Sequence, residues 1–474
     1  MKKAKIICTI GPATSSNKTI ASLIKAGMDV ARLNFSHGTH DEHGQYIRSI
    51  RKVSRELNRP VMILQDLQGV KIRIGNVAGD SIRLKKGQTI FLKPGSGVST
   101  EDTLFISYPA ILDDLKKGQK VLLDDGLIQL RVKGKNADSV IAAVKEGGML
   151  TANKGVNLPD TTISLTPFTD KDRGDLAFGI KNGVDAVALS FVLAPGDVRT
   201  VREWLNNNNS NIPVIAKIEK PEALLHIDAI IEASDGIMVA RGDLGVEVPQ
   251  DEIPVIQKDL IRKANELRKP VITATQMLES MREHIRPTRA EITDVANAVI
   301  DGTDALMLSA ETSTGKYPVH ATRMMKKIIG TTEKKIASRI VSPDLFNRTS
   351  EERLSHAVAD AAVSAASDVG AKCITAFTRS GFTALLVSKF RPCAPIIAFT
   401  PDKAVMRKMS LYWGVRPHFM KLFKNTDEMV YEVETALIDL KLAKAGDLIV
   451  ITASSPIKTY GKTNFLKIHR IGDW

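Results

Sequence analysis

Eight short apolar runs recur along the chain, and no other feature limits the possible folds as much. They occupy residues 4–10, 29–35, 61–67, 186–191, 213–218, 236–240, 270–274 and 305–308. Each leads into a loop with polar or charged residues. Stretches of helical periodicity, such as 17–26, 40–57, 197–205 and 252–267, lie between them. Near-continuous apolar strands need cover on both faces, which helices supply in a parallel sheet. Eight such units predict an α/β fold of the TIM type, a closed (β/α)8 barrel.

The spacing breaks once. Between the third and fourth runs, Gly-rich turns separate alternating strands at 89–92, 120–123, 129–132 and 139–144, the pattern of an all-β module inserted in one barrel loop. Beyond about residue 340, a helix at 352–369, a strand at 373–377, a helix at 382–390 and strands at 396–399 and 448–452 predict another α/β domain. A chain of 474 residues is too long for one core. The expected division is 1–69 with 168–340 for the barrel, 70–167 for an inserted small β-barrel and 341–474 for the C-terminal α/β domain.

Lys and Arg number 66 against 53 Asp and Glu, a net charge of +13. Nucleic-acid binding would place these cations on one face with interleaved aromatics. Aromatics are only 5% and the cations are spread throughout, so the charge suits a solvated surface and clefts for anionic substrates. No apolar run is long enough to span a membrane. The opening MKKAKIICTIG is too short for a secretory leader core and reads as a strand. Cys8, Cys373 and Cys393 are odd in number and scattered, which fits a reducing compartment. The expectation is a cytoplasmic protein.

In barrels of this kind the active site lies at the C-terminal ends of the strands, and the reactive residues collect there. The second strand ends in Arg32, Asn34, Ser36 and His37, and the third in Asp66. The fifth ends in Lys217 and Glu219, the sixth in Arg241, Gly242 and Asp243, the seventh in Thr273 and Thr275, the eighth in Ser309 and Glu311. Lys217 and Glu219 share a strand face, because side chains alternate. Charges at an apolar strand end are costly without a partner or ligand, and a structural salt bridge is the plainer reading of these two alone. With Asp243 one strand over, a divalent ion between Glu219 and Asp243 becomes the better one, since magnesium takes one or two carboxylates plus waters and substrate oxygens. Lys217 beside it suits a phosphate. Arg32 and Arg73 add positive charge, the amides of Gly242 and Asp243 can receive a carboxylate, and Asp66 with Asn34 and Ser36 makes an oxygen-rich pocket for a cation.

Other signals carry less. Gly461, Lys462 and Thr463 match the tail of a phosphate-binding P-loop, but Pro456 stands where that motif needs Gly. His37, His40 and His43 lack the spacing of a zinc helix and read as polar surface residues.

The motifs together resemble the pyruvate kinase family. They run in that family's order: CTIGPAT at 8–14, RLNFSHG at 32–38, QDLQGVKIR at 65–73, NKGVNLP at 153–159, KIEKPEAL at 217–224, MVARGDLGVE at 238–247, TATQMLESM at 273–281, the long segment 286–312 and GKTN at 461–464. The resemblance spans the whole chain. It implies phosphoryl transfer from phosphoenolpyruvate to ADP and protonation of the enolate. It implies Mg2+, for which Mn2+ can substitute, on Glu219 and Asp243, with Lys217 stabilising the transferring group. Arg32 and Arg73 hold phosphate, and the substrate carboxylate meets Gly242, Asp243 and Thr275, the last also in the proton relay. Asn34, His37, Arg73 and Lys171 match nucleotide-side positions. The β module becomes a lid, the C-terminal domain a regulatory one and the assembly a homotetramer.

One departure is informative. Many members need potassium and read Asp-Thr-Lys-Gly-Pro-Glu-Ile-Arg where this chain has Asp66-Leu67-Gln68-Gly69-Val70-Lys71-Ile72-Arg73. An ammonium at Lys71 can fill the space of the ion in the pocket of Asn34, Ser36, Asp66 and Leu67, so the chain resembles the potassium-independent branch. Val70 in place of Pro has no explanation. Thr378, Arg379, Ser380, Gly381 and Thr383 lie between a strand and a helix, where amides bind phosphate, and match the loop that takes a sugar phosphate or AMP in relatives. An ordinary Gly turn is the alternative there. Two rival functions share parts of this pattern. A magnesium-dependent barrel lyase needs neither lid nor nucleotide side, and a non-catalytic scaffold would have lost rim residues that are all present.

Overall fold

In a computed structural model of the chain, the described residues are 2–161, 164, 166–336, 350–454 and 463–473, with 350–352 described by their backbone alone. All eight apolar runs form strands: Lys5–Thr9, Val30–Asn34, Met62–Asp66, Ala186–Leu189, Val214–Ile218, Gly236–Ala240, Val271–Ala274 and Ala305–Leu308. Each pairs in parallel with its neighbours in chain order, and the eighth closes on the first, Ala305 opposite Lys5. Ile7, Met62, Leu64, Ile215, Met238, Ile272 and Met307 fill the interior. On the same inward face one step further up stand Thr9, Asp66 and Lys217. The polar rim is therefore the top layer of the same side-chain stack as the apolar core.

Helices between the strands start on caps written in the sequence. Thr39 with Glu42, Thr169 with Asp172 and Thr288 with Glu291 form reciprocal boxes at the starts of His40–Glu56, Asp170–Lys181 and Arg289–Asp301. At the barrel floor a repeat emerges. Asp29, Asp185, Asp235 and Asp304 each precede an even-numbered strand. Each accepts the N–H of a residue at the start of the odd strand before it, Ile6, Ile63, Val214 and Val271, at 2.7–2.9 Å.

The inserted module has a six-stranded sheet in the order Val156–Asn157, Lys120–Leu123, Ile128–Lys135, Val140–Glu146, Thr89–Pro94, Thr103–Ile106. Gly148–Leu150 and Ile82–Leu84 form a separate antiparallel pair. Isolated bridges, Arg73 to Gly155 and Ile74 to Ile106, tie the entering segment to the larger sheet. Register shifts between Ile128–Lys135 and Val140–Glu146 bend the sheet around its own core of Ile90, Leu104, Tyr108 and Leu130.

The C-terminal sheet runs Val415–Phe419, Ile396–Thr400, Ile374–Phe377, Leu448–Ala453, Phe465–Arg470, the last antiparallel. It docks on the barrel floor through the repeated aspartates. Lys389 and Arg391 reach Asp304 at 2.7 and 3.0 Å, and Arg407 reaches Asp185 at 2.7 Å. The expected boundary at 340/341 lies outside the described residues. No helix among the described residues is long and apolar enough to cross a membrane.

Candidate active site at the barrel mouth

The third and fifth strands flank the fourth, and their inward charges meet above it. Lys217 Nζ lies 3.1 Å from Asp66 Oδ1 and 2.9 Å from Glu219 Oε1, and donates to Ser190 Oγ at 2.7 Å. Arg32 Nε donates to Asp66 Oδ2 at 2.6 Å, and its Nη1 to Thr9 Oγ1 at 3.0 Å. Glu219 Oε2 accepts the Phe191 N–H at 2.7 Å. Lys217, Glu219 and Asp66 are buried, whereas Asp243 is exposed to the cleft above them.

Burial alone would lower the Lys217 ammonium, but Asp66, Glu219 and Asp243 hold it above its ordinary value. Burial would likewise raise Asp66, yet Arg32 and Lys217 keep it low. Glu219 goes the other way: burial, helped by the charge of Asp243, pushes its carboxyl up against the pull of Lys217. A buried carboxylate facing another acid is eased by a divalent cation between them, so the donor set fits magnesium. Among the described residues no three His, Cys, Asp or Glu side chains gather as a metal cage, and magnesium needs none.

Gly242 and Asp243 fall in the first turn of the short helix Arg241–Glu247. The Gly242 N–H already donates to Thr275 Oγ1 at 2.7 Å, and that hydroxyl donates to the Ala274 carbonyl at 2.6 Å. A substrate carboxylate reaches the Gly242 amide only if Thr275 yields it. Thr275 and Gln276 have φ of 68° and 53°, and Phe191 has 55°. Such left-handed backbone costs free energy and gathers at functional sites. Arg241 braces this corner, with Asp294 at 2.7 Å and the Thr275 carbonyl at 2.7 Å. Gly242, Asp243, Thr275 and the inserted module's Asp125 and Asn157 line a cleft of about 580 Å³.

On the other side, Lys171 Nζ donates to the Phe35 carbonyl at 2.9 Å and pairs with Asp175 at 2.6 Å, which brings it to the loop of Asn34 and His37. Asn34 Oδ1 accepts the Ser36 N–H at 3.1 Å. Arg73 Nη1 donates to the Asn153 carbonyl at 2.5 Å, a bond within the inserted module that holds its head against the 153 turn. Burial lowers His37, and the charges of Lys71, Arg73 and Arg32 lower it further. Burial and Arg73 also lower Lys71, while Asp243 and Glu219 counter them. Asp66 is held by Arg32 and Lys217, and Lys71 forms no ion pair with it.

Several expectations need correction. His43 is buried, not on the surface: its ring stacks on Phe35 at 4.0 Å and its Nε2 meets the His37 carbonyl at 2.9 Å. Glu311 is sealed away, accepting the Leu278 and Ser309 N–H groups at 3.1 and 2.6 Å, so it braces the last two strands. Thr273 points away from the mouth, on the face of its strand opposite Ile272, and pairs with Thr303 at 2.9 Å. Ser190, Thr9, Arg241, Lys220 and Glu247 contribute to the site without having been singled out as its working residues. Arg241, in the Arg-Gly-Asp rim segment, and Thr9, Lys220 and Glu247, inside the quoted motifs, carried a sequence signal, whereas Ser190 carried none.

A barrel whose mouth gathers cations, carboxylates and amides under a β cap is that of an enzyme acting on small anions. Residues 1–322 match the family model for the pyruvate kinase barrel domain and residues 356–469 that for the pyruvate kinase alpha/beta domain. Pyruvate kinases of Geobacillus stearothermophilus and Sporosarcina psychrophila are each 46% identical over the whole of this chain, which covers 81% of theirs. The crystal structure of a pyruvate kinase from Cryptosporidium parvum superposes with a TM-score of 0.90 at 36% identity, over 99% of this chain and 96% of that one. The chain belongs to the pyruvate kinase family, and is a kinase of the transferase class.

Proposed function

We propose that this rim transfers the phosphoryl group of phosphoenolpyruvate to ADP, with Mg2+ on Glu219 and Asp243. The observation that carries the reading is the Lys217 ammonium, fixed between Asp66 and Glu219 below the exposed Asp243. Arg32 and Lys217 hold the phosphoryl oxygens, and Arg73 joins them from the base of the cap. Thr275 and the Gly242 and Asp243 amides receive the carboxylate, and the Thr275 hydroxyl lies on the proton route to the enolate. Asn34, His37 and Lys171 face the nucleotide. The bound ion, magnesium or manganese, would neutralise charge building on the substrate oxygens. Such positioning and charge neutralisation is the usual strategy of phosphoryl transfer. The inserted domain, 70–167, closes as a lid on the barrel of 1–69 and 168–340 and keeps water out.

Potassium is not required in this reading. Lys71 brings a fixed positive charge to the mouth, makes no ion pair among the described residues, and is flanked electrostatically by Asp243 and Glu219. We further infer a cytoplasmic homotetramer with a phosphorylated effector, a sugar phosphate or AMP, at 378–383 in the C-terminal domain, 341–474. Gly381 has φ of 88° at the start of helix Phe382–Lys389, and Thr383 meets Thr463 at 2.8 Å, which supports a shaped loop. Gly461 and Lys462 of the neighbouring segment lie outside the described residues.

The test is a coupled assay with phosphoenolpyruvate and ADP in tetraalkylammonium buffer. Pyruvate formation strictly dependent on ADP and Mg2+ is expected, with no gain from potassium. Pyruvate without ADP would favour a lyase, and a many-fold rise with potassium would remove the role of Lys71. Calorimetric titration with sugar phosphates and AMP tests the effector loop, and no heat from any of them would remove it.

A further inference from the structure

A cleft of about 820 Å³ lies between the barrel floor and the C-terminal domain. It sits beside the loop entering the third strand, at the end of that strand remote from Asp66. One wall is the end of helix His40–Glu56 and the following turn, with Arg51, Arg55 and Arg59. The facing wall, helix Lys403–Lys408, brings Lys403 and Arg407. Among the described residues Asp439 is the one acid lining the cleft. Asp185, buried behind it, accounts for Arg51 and Arg407, at 2.6 and 2.7 Å.

Among the described residues, Arg55, Arg59 and Lys403 have no such partner, and Arg55 and Arg59 donate to the Arg51 and Ile24 carbonyls alone, at 3.2 and 3.1 Å. Neighbouring groups feel the surplus: burial and then Arg59 lower Arg416, and burial and then Arg416 lower His418, which also lines the cleft. Cations crowded together without counter-charge repel, and an anion among them removes that cost. Beside Ser54, Asn58 and His418, the lining is largely apolar. Phe399 and Pro417 form a buried floor, and the Phe419 ring stands 46% exposed at the rim with Lys403 5.7 Å from its centre.

We propose that this cleft binds a small organic phosphate carrying a flat ring, with the phosphate on Arg55, Arg59 and Lys403 and the ring against Phe419 and Pro417. Arginine forks match phosphate oxygens in pairs. The volume falls in the range of small-ligand sites, roughly 300–1,000 Å³, which likewise join an apolar wall to a few polar anchors. No residue of the barrel mouth or of 378–383 lines it, so it stands or falls apart from the substrate and effector readings.

Phenyl phosphate is the probe, and hydrogen exchange read by mass spectrometry on the full chain locates it. Saturable protection of 51–60 and 403–419 is expected. The Arg55→Glu, Lys403→Glu double variant weakens it at least tenfold, while Arg379→Ala leaves it unchanged. Both residues of the double variant are exposed, and an unchanged melting temperature verifies its fold. Protection confined to the mouth or to 378–383, or a double variant that binds like the parent, overturns the proposal. Inorganic phosphate protecting as tightly as phenyl phosphate overturns the role given to the ring.

Discussion

Lys217 donates to Ser190 Oγ at 2.7 Å and lies 2.9 and 3.1 Å from carboxylate oxygens of Glu219 and Asp66, so acceptors already surround its ammonium. An incoming phosphoryl oxygen therefore competes for a place already filled, and the ammonium is held in position before substrate arrives. Cations that stabilise a transferring phosphoryl group are worth about 10³–10⁵ in rate. Lys217→Met is expected to lower kcat at least about 10³-fold, with far-ultraviolet dichroism unchanged. It also strips one partner from two buried carboxylates. Breaking a buried pair costs about 3–5 kcal/mol, and Asp66 keeps Arg32, so the lower end is expected. Kinetics and denaturation on one sample separate the two effects. A tenfold rate loss or less would assign the phosphoryl role to another cation.

The four floor aspartates show at the level of elements what holds the barrel in register. Each ties the start of one strand to the next and also pairs with a cation: Lys2 on Asp29, Arg51 on Asp185, Arg202 on Asp235 and Lys389 on Asp304. Asp29 is the informative member. Burial alone would raise its carboxyl, but Lys2 and Lys5 hold it below its ordinary 3.8. A depressed carboxyl stabilises the fold above its unfolded value and loses that contribution as pH falls through the folded one. Asp29→Asn keeps an acceptor for Ile6 and discards the charge, so a loss of about 1–3 kcal/mol is expected at neutral pH. Urea midpoints of parent and variant should converge below about pH 4, and a gap that stays constant there would mean the charge contributes nothing. The same elements show what the sequence disclosed. The barrel strands were legible because they are apolar on both faces. Val415–Phe419 and Phe465–Arg470 were not, because both lie at sheet edges and mix Pro, Arg, Lys and His into short runs. At the mouth, strand parity brought Lys217 and Glu219 together, as alternation requires. It could not reveal that Thr275 caps the Gly242 amide or that Arg73 is held by the Asn153 carbonyl, since these depend on loop backbone and on contacts between distant segments.

At the scale of the whole molecule, a part-buried polar contact joins the inserted module to the barrel mouth. Asn157 Nδ2 donates to Glu247 Oε1 at 2.8 Å, and Lys220 lies 2.9 Å from the same oxygen. Asn157 belongs to the sheet's edge strand and Glu247 ends the helix that carries Gly242 and Asp243. The contact thus links cap position to the substrate-side helix. A hydrogen bond to a charged group contributes about 1.5–3 kcal/mol, which is roughly ten- to a hundredfold in the ratio of docked to undocked cap. Asn157→Ala is expected to raise KM for phosphoenolpyruvate several-fold, while global stability changes little because the module keeps its own core. A cap that docks less well also admits water, so some phosphoryl should be lost to solvent and pyruvate should exceed ATP in a balanced assay. Equal yields with an unchanged KM would mean that the cap docks by other contacts and that Asn157 only decorates the interface.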